Sequence, residues 1–322
     1  VTRPRRFVAA ALLAGFAPAC GDSPTGPEPG PTAEPGNPVN VVVYYDEDGN
    51  RRLDGNERAR VPGVSVDVAG RQAQTAPLTG RAVVNGVPAG QQNAAIDAAS
   101  LPPFYRAGPT RPVSVPSSAE VELSATLSIG NNRPNVYMAF GDSITAGDGS
   151  SDGNGYPTPL EQLLRGHFAR ASVINRGATS TRSTEGVERI QRNLSLTTPA
   201  YTLILYGTND WVECKGAVPC ITIDSLRTIV ETVKDVGSLP VLATIIPANP
   251  DRNAADRNQW VHDINLLVRD LAADEGAVLA DLEAAFLREP NLASLYSDHV
   301  HPNDRGYQVM AGEFFRAITG AP

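Results

Sequence analysis

Two periodicities divide the chain. From Val39 to about Ile129 the apolar residues come in short alternating runs, "NVVVYY", "GVSVDV", "RAVVNG" and "AEVELSATLSI", separated by turn residues. In the last run Val121, Leu123, Ala125, Leu127 and Ile129 share one face at a period of two, the mark of a half-buried strand. No long helical stretch interrupts these runs, so a small β-sandwich is predicted over 39–130. "IGNNRP", residues 129–134, reads as a junction. Beyond it, apolar strands at 136–140, 172–175, 202–206, 241–246 and 278–282 alternate with helices at 159–168, 184–192, 225–236 and 254–274. A last helix follows Asn303. That order predicts an α/β unit over 134–320, a parallel sheet covered on both faces, with ligands at the carboxyl ends of its strands.

The first residues follow another pattern. Arg3, Arg5 and Arg6 precede the apolar run Phe7 to Ala17, and no acidic residue occurs before Asp22. This is the layout of an export signal over residues 1–20, and the run is shorter than the ~20 apolar residues that span a bilayer. It ends in "FAPAC", which resembles the lipobox of bacterial lipoproteins, with Ala17 where leucine is usual; the resemblance implies lipidation at Cys20. Plain secretion is the alternative. Residues 21–38 are one-third proline, with glycine and small polar residues, and read as a tether. The other two cysteines, Cys214 and Cys220 in "ECKGAVPC", form an even pair that is either a disulfide or two free thiols. A zinc site would need about four ligands, and no second pair exists to complete one.

Composition narrows the function. The 322 residues carry a net charge of −8, with 41% hydrophobic and 19% charged residues. That suffices for a core and argues against nucleic acid as partner, since phosphate binding needs a basic stripe. Any membrane association is expected through the lipid anchor alone.

"DEDGNRRLDGNE", residues 46–57, sets oxygen-bearing side chains at loop positions 1, 3, 5, 9 and 12: Asp46, Asp48, Asn50, Asp54 and Glu57. The carbonyl of Arg52 falls at position 7. One loop can wrap a hard cation with this spacing. Arg51 stands at position 6, where glycine favours the sharp turn. With the following "VPGVSVDV", the segment resembles the calcium-binding B-type repeats of bacterial surface proteins, which are β-sandwiches. A solvated acidic turn is the alternative; a bound calcium would be structural.

The tripeptide Gly-Asp-Ser occurs twice. Ser23 lies in the tether, with no fixed base, and keeps the reactivity of an ordinary alcohol. Ser143, in "FGDSITAG", directly follows the first strand of the α/β unit, at the edge where chemistry is done. In "SDHVHPNDRGY", Asp298 and His301 are three positions apart, a spacing that lets a carboxylate hold an imidazole while its other nitrogen takes a serine proton.

Residues 134–320 resemble the SGNH (GDSL-type) hydrolases, whose four short blocks occur here in order as "GDSIT", "NRGATS", "YGTND" and "DHVHP". The resemblance implies a flavodoxin-like three-layer α/β/α fold with Ser143 as nucleophile and Asp298 and His301 as its partners. It also implies an oxyanion hole formed by the N–H groups of Ser143 and Gly177 and the side-chain amide of Asn209. Donors fixed around a developing oxyanion are typically worth about 10²- to 10³-fold each. His301 is preferred over His299 as base, and His167 and His262 fall in helical text as surface or packing residues. Trp211 is either a wall of the substrate pocket or a buried anchor. The α/β-hydrolase alternative lacks the second glycine of its nucleophile motif. The resulting expectation is an exported serine esterase that needs no catalytic cofactor and acts on a small-molecule or polysaccharide ester of short acyl chain. Lipid or thioester hydrolysis is the alternative substrate class. An adhesive scaffold with an inactive hydrolase fold is the alternative of another kind.

Overall fold

A computed structural model describes residues 36–321. The export signal, Cys20 and nearly all of the proline-rich stretch lie outside the described residues. The sequence boundary of that stretch moves slightly, because Asn37 and Pro38 already belong to a strand.

Eight strands make the N-terminal part: β1 (Asn37–Tyr45), β2 (Ser65–Val68), β3 (Arg71–Gln74), β4 (Arg81–Val87), β5 (Gly90–Ile96), β6 (Arg106–Ala107), β7 (Arg111–Val115) and β8 (Val121–Thr126). They form two four-stranded sheets, ordered β4-β1-β8-β6 and β3-β2-β5-β7. Every pair is antiparallel except β1 with β8. Alternation puts Val39, Val41, Val43 and Tyr45 of β1 into one core with Val66, Val68, Val84 and Leu123. The strands that the alternation misses, β3, β5 and β7, are rich in glutamine, arginine and serine.

The C-terminal part carries a parallel sheet of β9 (Arg133–Gly141), β10 (Ser172–Gly177), β11 (Pro199–Leu205), β12 (Leu239–Ala243) and β13 (Val278–Ala280), ordered β10-β9-β11-β12-β13. Its helices are α1 (Ser143–Ala146), α2 (Pro157–Phe168), α3 (Ser183–Thr197), α4 (Trp211–Cys214), α5 (Ile221–Asp235), α6 (Ala255–Glu275), α7 (Leu282–Leu287) and α8 (Asp304–Thr319). Successive strand residues point to opposite faces. Tyr137, Ala139, Leu203 and Val241 therefore pack with α2, α7 and α8, while Met138, Phe140, Ile204 and Leu242 pack with α3, α5 and α6. Two expected strands end early. β12 stops at Ala243 and β13 at Ala280, because Asp281 caps α7 by accepting the Ala284 amide. Among the described residues no helix is long and apolar enough to cross a membrane.

The two parts are welded together. In the alternating run, Val121, Leu123 and Ala125 enter the sandwich core, Ile129 enters the core of the parallel sheet, and Leu127 packs against both. The amides of Arg60 and Leu78 donate to the last carbonyls of α2, Phe168 and His167, at 3.1 Å each. Tyr105 stacks on Phe168 and Phe104 meets Tyr201 edge-on. His167 packs edge-on against Phe168 and Phe315, as a packing residue.

Phe168 is fully buried at this seam. Phe168→Ala should cost about 3–5 kcal/mol in denaturant titration. Both parts should lose stability together. Independent transitions with only one of them shifted would contradict the weld.

Candidate active site

Register brings the site together. In the sheet, Gly141 of β9 stands opposite Gly177 of β10 and Leu205 of β11, so the three strands end level. The segments leaving them carry Ser143, Gly177 and Asn209. Two of these positions must be glycine for space. A Cβ on Gly141 would lie 2.3 Å from the Leu205 carbonyl, and one on Gly177 would lie 2.1 Å from the Ala146 nitrogen. The second approach seats β10 directly against α1.

Ser143 is the first residue of α1, and Asp142 caps it by accepting the Ile144 amide at 2.9 Å. The Ser143 N–H, at the start of the helix, has no intrahelical acceptor. The hydrogen-bond partner of the Ser143 hydroxyl, His301, arrives from a distant part of the sequence. Asn303 caps α8 by accepting the amides of Arg305 and Gly306, and the preceding loop folds back so that Ser297 donates its amide to the His301 carbonyl. Within that loop Asp298 Oδ1 accepts the amides of Val300 and His301, and Oδ2 lies 2.7 Å from His301 Nδ1. His301 Nε2 lies 2.9 Å from Ser143 Oγ. A carboxylate facing Nδ1 holds the proton there and leaves Nε2 as the acceptor for the serine hydroxyl. Burial pushes the Asp298 carboxyl up, but the bonds from the His301 ring and the two amides outweigh it and hold it at about 2. His299 sits mostly in solvent, 3.7 Å from Asp298, and makes no hydrogen bond to Ser143.

The groups expected around an oxyanion have other partners here. The Gly177 amide donates to Asn175 Oδ1 at 2.9 Å, and Asn209 Nδ2 donates one hydrogen to the Thr181 carbonyl at 2.9 Å, leaving its second free to point elsewhere. Asn209 is held in a short 3₁₀ turn by its neighbours. Asp210, fully buried, accepts the Ser183 amide and the Thr222 hydroxyl, which ties the starts of α3 and α5 to this turn. Arg257 donates to the Thr208 carbonyl at 2.6 Å. The sequence reading did not single out Asp210 or Arg257; the only signal for Asp210 was an acid beside Asn209.

Trp211 opens α4 half-buried, its ring 5.6 Å from Trp260. With Ala248, Arg252, Ala254, Arg257 and His299 it lines a pocket of about 250 Å³ next to the catalytic loop. Cys214 and Cys220 are bonded as a disulfide and close the loop after it. His262 of α6 pairs with the buried Glu283 of α7. A larger groove, about 690 Å³, lies on the sandwich between Asn50 and Glu122 and holds none of these groups.

In the acidic loop the structure brings carboxylate oxygens of Asp46, Asp48 and Glu57 within 4.8 Å of one another. Asn50 joins this triple to Asp54, and Arg52 donates its amide to Asn50 Oδ1. Arg51 adopts the left-handed turn, φ 63°, that favours glycine, with its amide donated to Asp46 Oδ2.

A model of the GDSL-like lipase/acylhydrolase family matches residues 139–309, just over half of the chain. The chain belongs to this family. An arylesterase from Vibrio mimicus is 27% identical over 131 residues, 40% of this chain and 64% of that protein. Thioesterase 1/protease 1/lysophospholipase L1 of Escherichia coli K12 is 30% identical over 118 residues, 36% of this chain and 54% of that protein. This GDSL chain thus spans less than two thirds of the length of either relative. Among solved structures, a lipase/acylhydrolase from Enterococcus faecalis is 20% identical with a TM-score of 0.49, over 58% of this chain and 96% of that one. A catalytic mutant of an acetylxylan esterase from Geobacillus stearothermophilus is 21% identical with a TM-score of 0.49, over 58% and 95%.

One acid in the GDSL block was not foreseen as unusual. Asp142 is fully buried, its Oδ2 has no partner among the described residues, and burial, reinforced by the charge of Asp210, pushes its carboxyl up to about 7. The folded chain therefore keeps a proton that the unfolded chain releases near pH 4, so stability falls as pH rises from about 4 to about 7 and levels above. Asp142→Asn keeps an oxygen for the Ile144 amide and removes this titration. Its melting temperature, relative to the parent, should climb by several degrees across that interval. A difference independent of pH would contradict the assignment.

Proposed function

We propose that this chain is a serine esterase that works through an acyl-enzyme. The observation that carries the reading is the unbroken chain of two hydrogen bonds from Asp298 through His301 to Ser143. Ser143 Oγ attacks the ester carbonyl carbon while His301 Nε2 takes its proton. Negative charge then gathers on the carbonyl oxygen, which the N–H groups of Ser143 and Gly177 and the amide of Asn209 receive. For this, Gly177 exchanges its bond to the exposed side chain of Asn175 for one to the substrate. The imidazolium returns the proton to the leaving alcohol, and water, deprotonated by the same nitrogen, releases the acid. The hydrogen bonds from the His301 ring and the two amides hold the Asp298 carboxyl at about 2, so at neutral pH it faces the imidazolium as a carboxylate.

The pocket beside His299 supports short acyl groups and polar alcohols. At about 250 Å³ it is below the ~300–1,000 Å³ usual for drug-sized ligands, and Arg252, Asn253 and Asp256 give it a polar rim. Trp211 provides a flat wall there. O-acetyl groups on carbohydrate fit this combination. Export and lipid attachment at Cys20 belong to the same proposal, on the strength of the basic start, the short apolar run and "FAPAC".

Ser143→Ala should lower the turnover of p-nitrophenyl acetate by at least ~10³-fold and abolish labelling by a fluorophosphonate probe, with an unchanged circular dichroism spectrum. Near-parental turnover would remove the mechanism, and failure of the parent to label would favour an inert scaffold. Across p-nitrophenyl esters of graded length, kcat/KM should peak at two to four carbons; a peak at eight or more would sink the short-acyl reading. Cys20→Ser should abolish incorporation of labelled palmitate in an expressing bacterium, and equal incorporation by both forms would count against the anchor.

A further inference from the structure

The loop 46–57 collects carboxylates, and among the described residues its one salt bridge, from Arg170, goes to Glu47 and not to Asp46, Asp48 or Glu57. Asp46 and Glu57 are each only 3% exposed, and both share the 4.8 Å triple with Asp48. Buried carboxylates are costly unless paired or bound to a metal. The arginines nearby make no salt bridge to these two acids or to Asp48: Arg51 and Arg52 are exposed, Arg111 donates to the Arg51 carbonyl, Arg60 donates to the Glu57 and Ala59 carbonyls, and Arg170 reaches Glu47. Asp46 Oδ1 is buried with no hydrogen-bond partner among the described residues, although Oδ2 accepts the Arg51 amide. That unpartnered oxygen belongs to the first ligand position of the loop. Glu57, the last, has its oxygens set by the amides of Glu47 and Asp54, which leaves further lone pairs available. The set is entirely hard oxygen, as calcium requires and zinc or copper does not.

The same loop is a contact between the two halves of the protein. Glu47, inside it, accepts a hydrogen bond from Asn135 Nδ2 at 2.8 Å, at the start of β9, and lies 3.9 Å from Arg170 beyond α2. Arg170 also reaches the Asn56 carbonyl. The Arg60 amide, just past the loop, holds the Phe168 carbonyl. Each link between loop and catalytic part therefore leaves from a residue next to a ligand position or within three of one. We propose that a calcium ion bound by Asp46, Asp48 and Glu57, with Asp54 and, once its amide turns from the Nδ2 bonds it makes to Asp48 and Asp54, Asn50 completing the ring, clamps the sandwich onto the esterase part. The ion neutralises the buried acids, fixes the loop, and through Glu47 and Asn56 fixes the approach of β9 and the end of α2.

The test uses the full chain after treatment with chelator. By titration calorimetry it should bind one calcium ion, with a rise in melting temperature of about 5 °C or more. Hydrogen exchange should slow at residues 46–60 and also across the seam, at 133–137 and 168–171. Asp46→Asn should fold in chelator at least as well as the parent, because it relieves a buried charge, and should ignore calcium. Glu47→Ala keeps every ligand; it should bind calcium within about threefold of the parent yet lose the protection at 133–137, while 168–171, still held through Asn56 and Arg60, keeps it. Absence of binding up to about 10 mM calcium, above the range of the weakest loops of this kind, would overturn the site. Binding with protection confined to 46–60 would overturn the clamp.

Discussion

The level ending of three parallel strands is the constraint on which the site rests. Gly141 stands opposite Gly177 and Leu205, and the absence of a side chain at 141 and 177 lets β9, β10 and α1 come together at backbone distance. A shift of one residue in either pairing would move Ser143 relative to Gly177 or Asn209 by more than 3 Å. Hydrophobic burial enforces the register, since a slip would exchange the residues of β9 that face α2 and α8 with those that face α3 and α5.

The rest of the catalytic geometry is local. The loop from Ser297 to Asn303 ties itself through its own amides, so Asp298 and His301 arrive as a preassembled pair oriented by α8. Asp210 performs the corresponding task for the Asn209 turn. Rigid support of this kind limits reorganisation around Asp298, His301 and Asn209, and preorganised polar sites derive their power from it; Gly177, bonded to Asn175, is the group that has a partner to exchange.

The parallel sheet was legible because its central strands, β9, β11 and β12, are buried and read as apolar runs between amphipathic helices, and the Ser143, Asp298 and His301 set because each sits in a short block, Ser143 after a strand and the other two on the loop before α8. The sandwich was legible only where alternation is strong. The Gln-rich β5 and polar β3 gave no such signal, and pairing in space made them strands. Tertiary features were out of reach for another reason. Nothing local marks Ile129 as core of the second half and Val121 as core of the first, since one period-two run supplies both. The elevated proton affinity of Asp142 likewise comes from what the fold stacks around it, and Arg51 takes a left-handed conformation that residue identity alone argued against.

The Ser143 hydroxyl and the His301 imidazole lie 158 residues apart in the chain, and Asp298 and His301 come on the loop before α8. Synthesis from the N-terminus therefore delivers all five strands of the parallel sheet, the serine and the amide donors before it delivers the imidazole. A nascent chain stopped short of residue 301 carries the Ser143 hydroxyl without the imidazole that meets it. Under the proposed mechanism, chemical competence thus waits for residue 301, however much of the sheet has already formed.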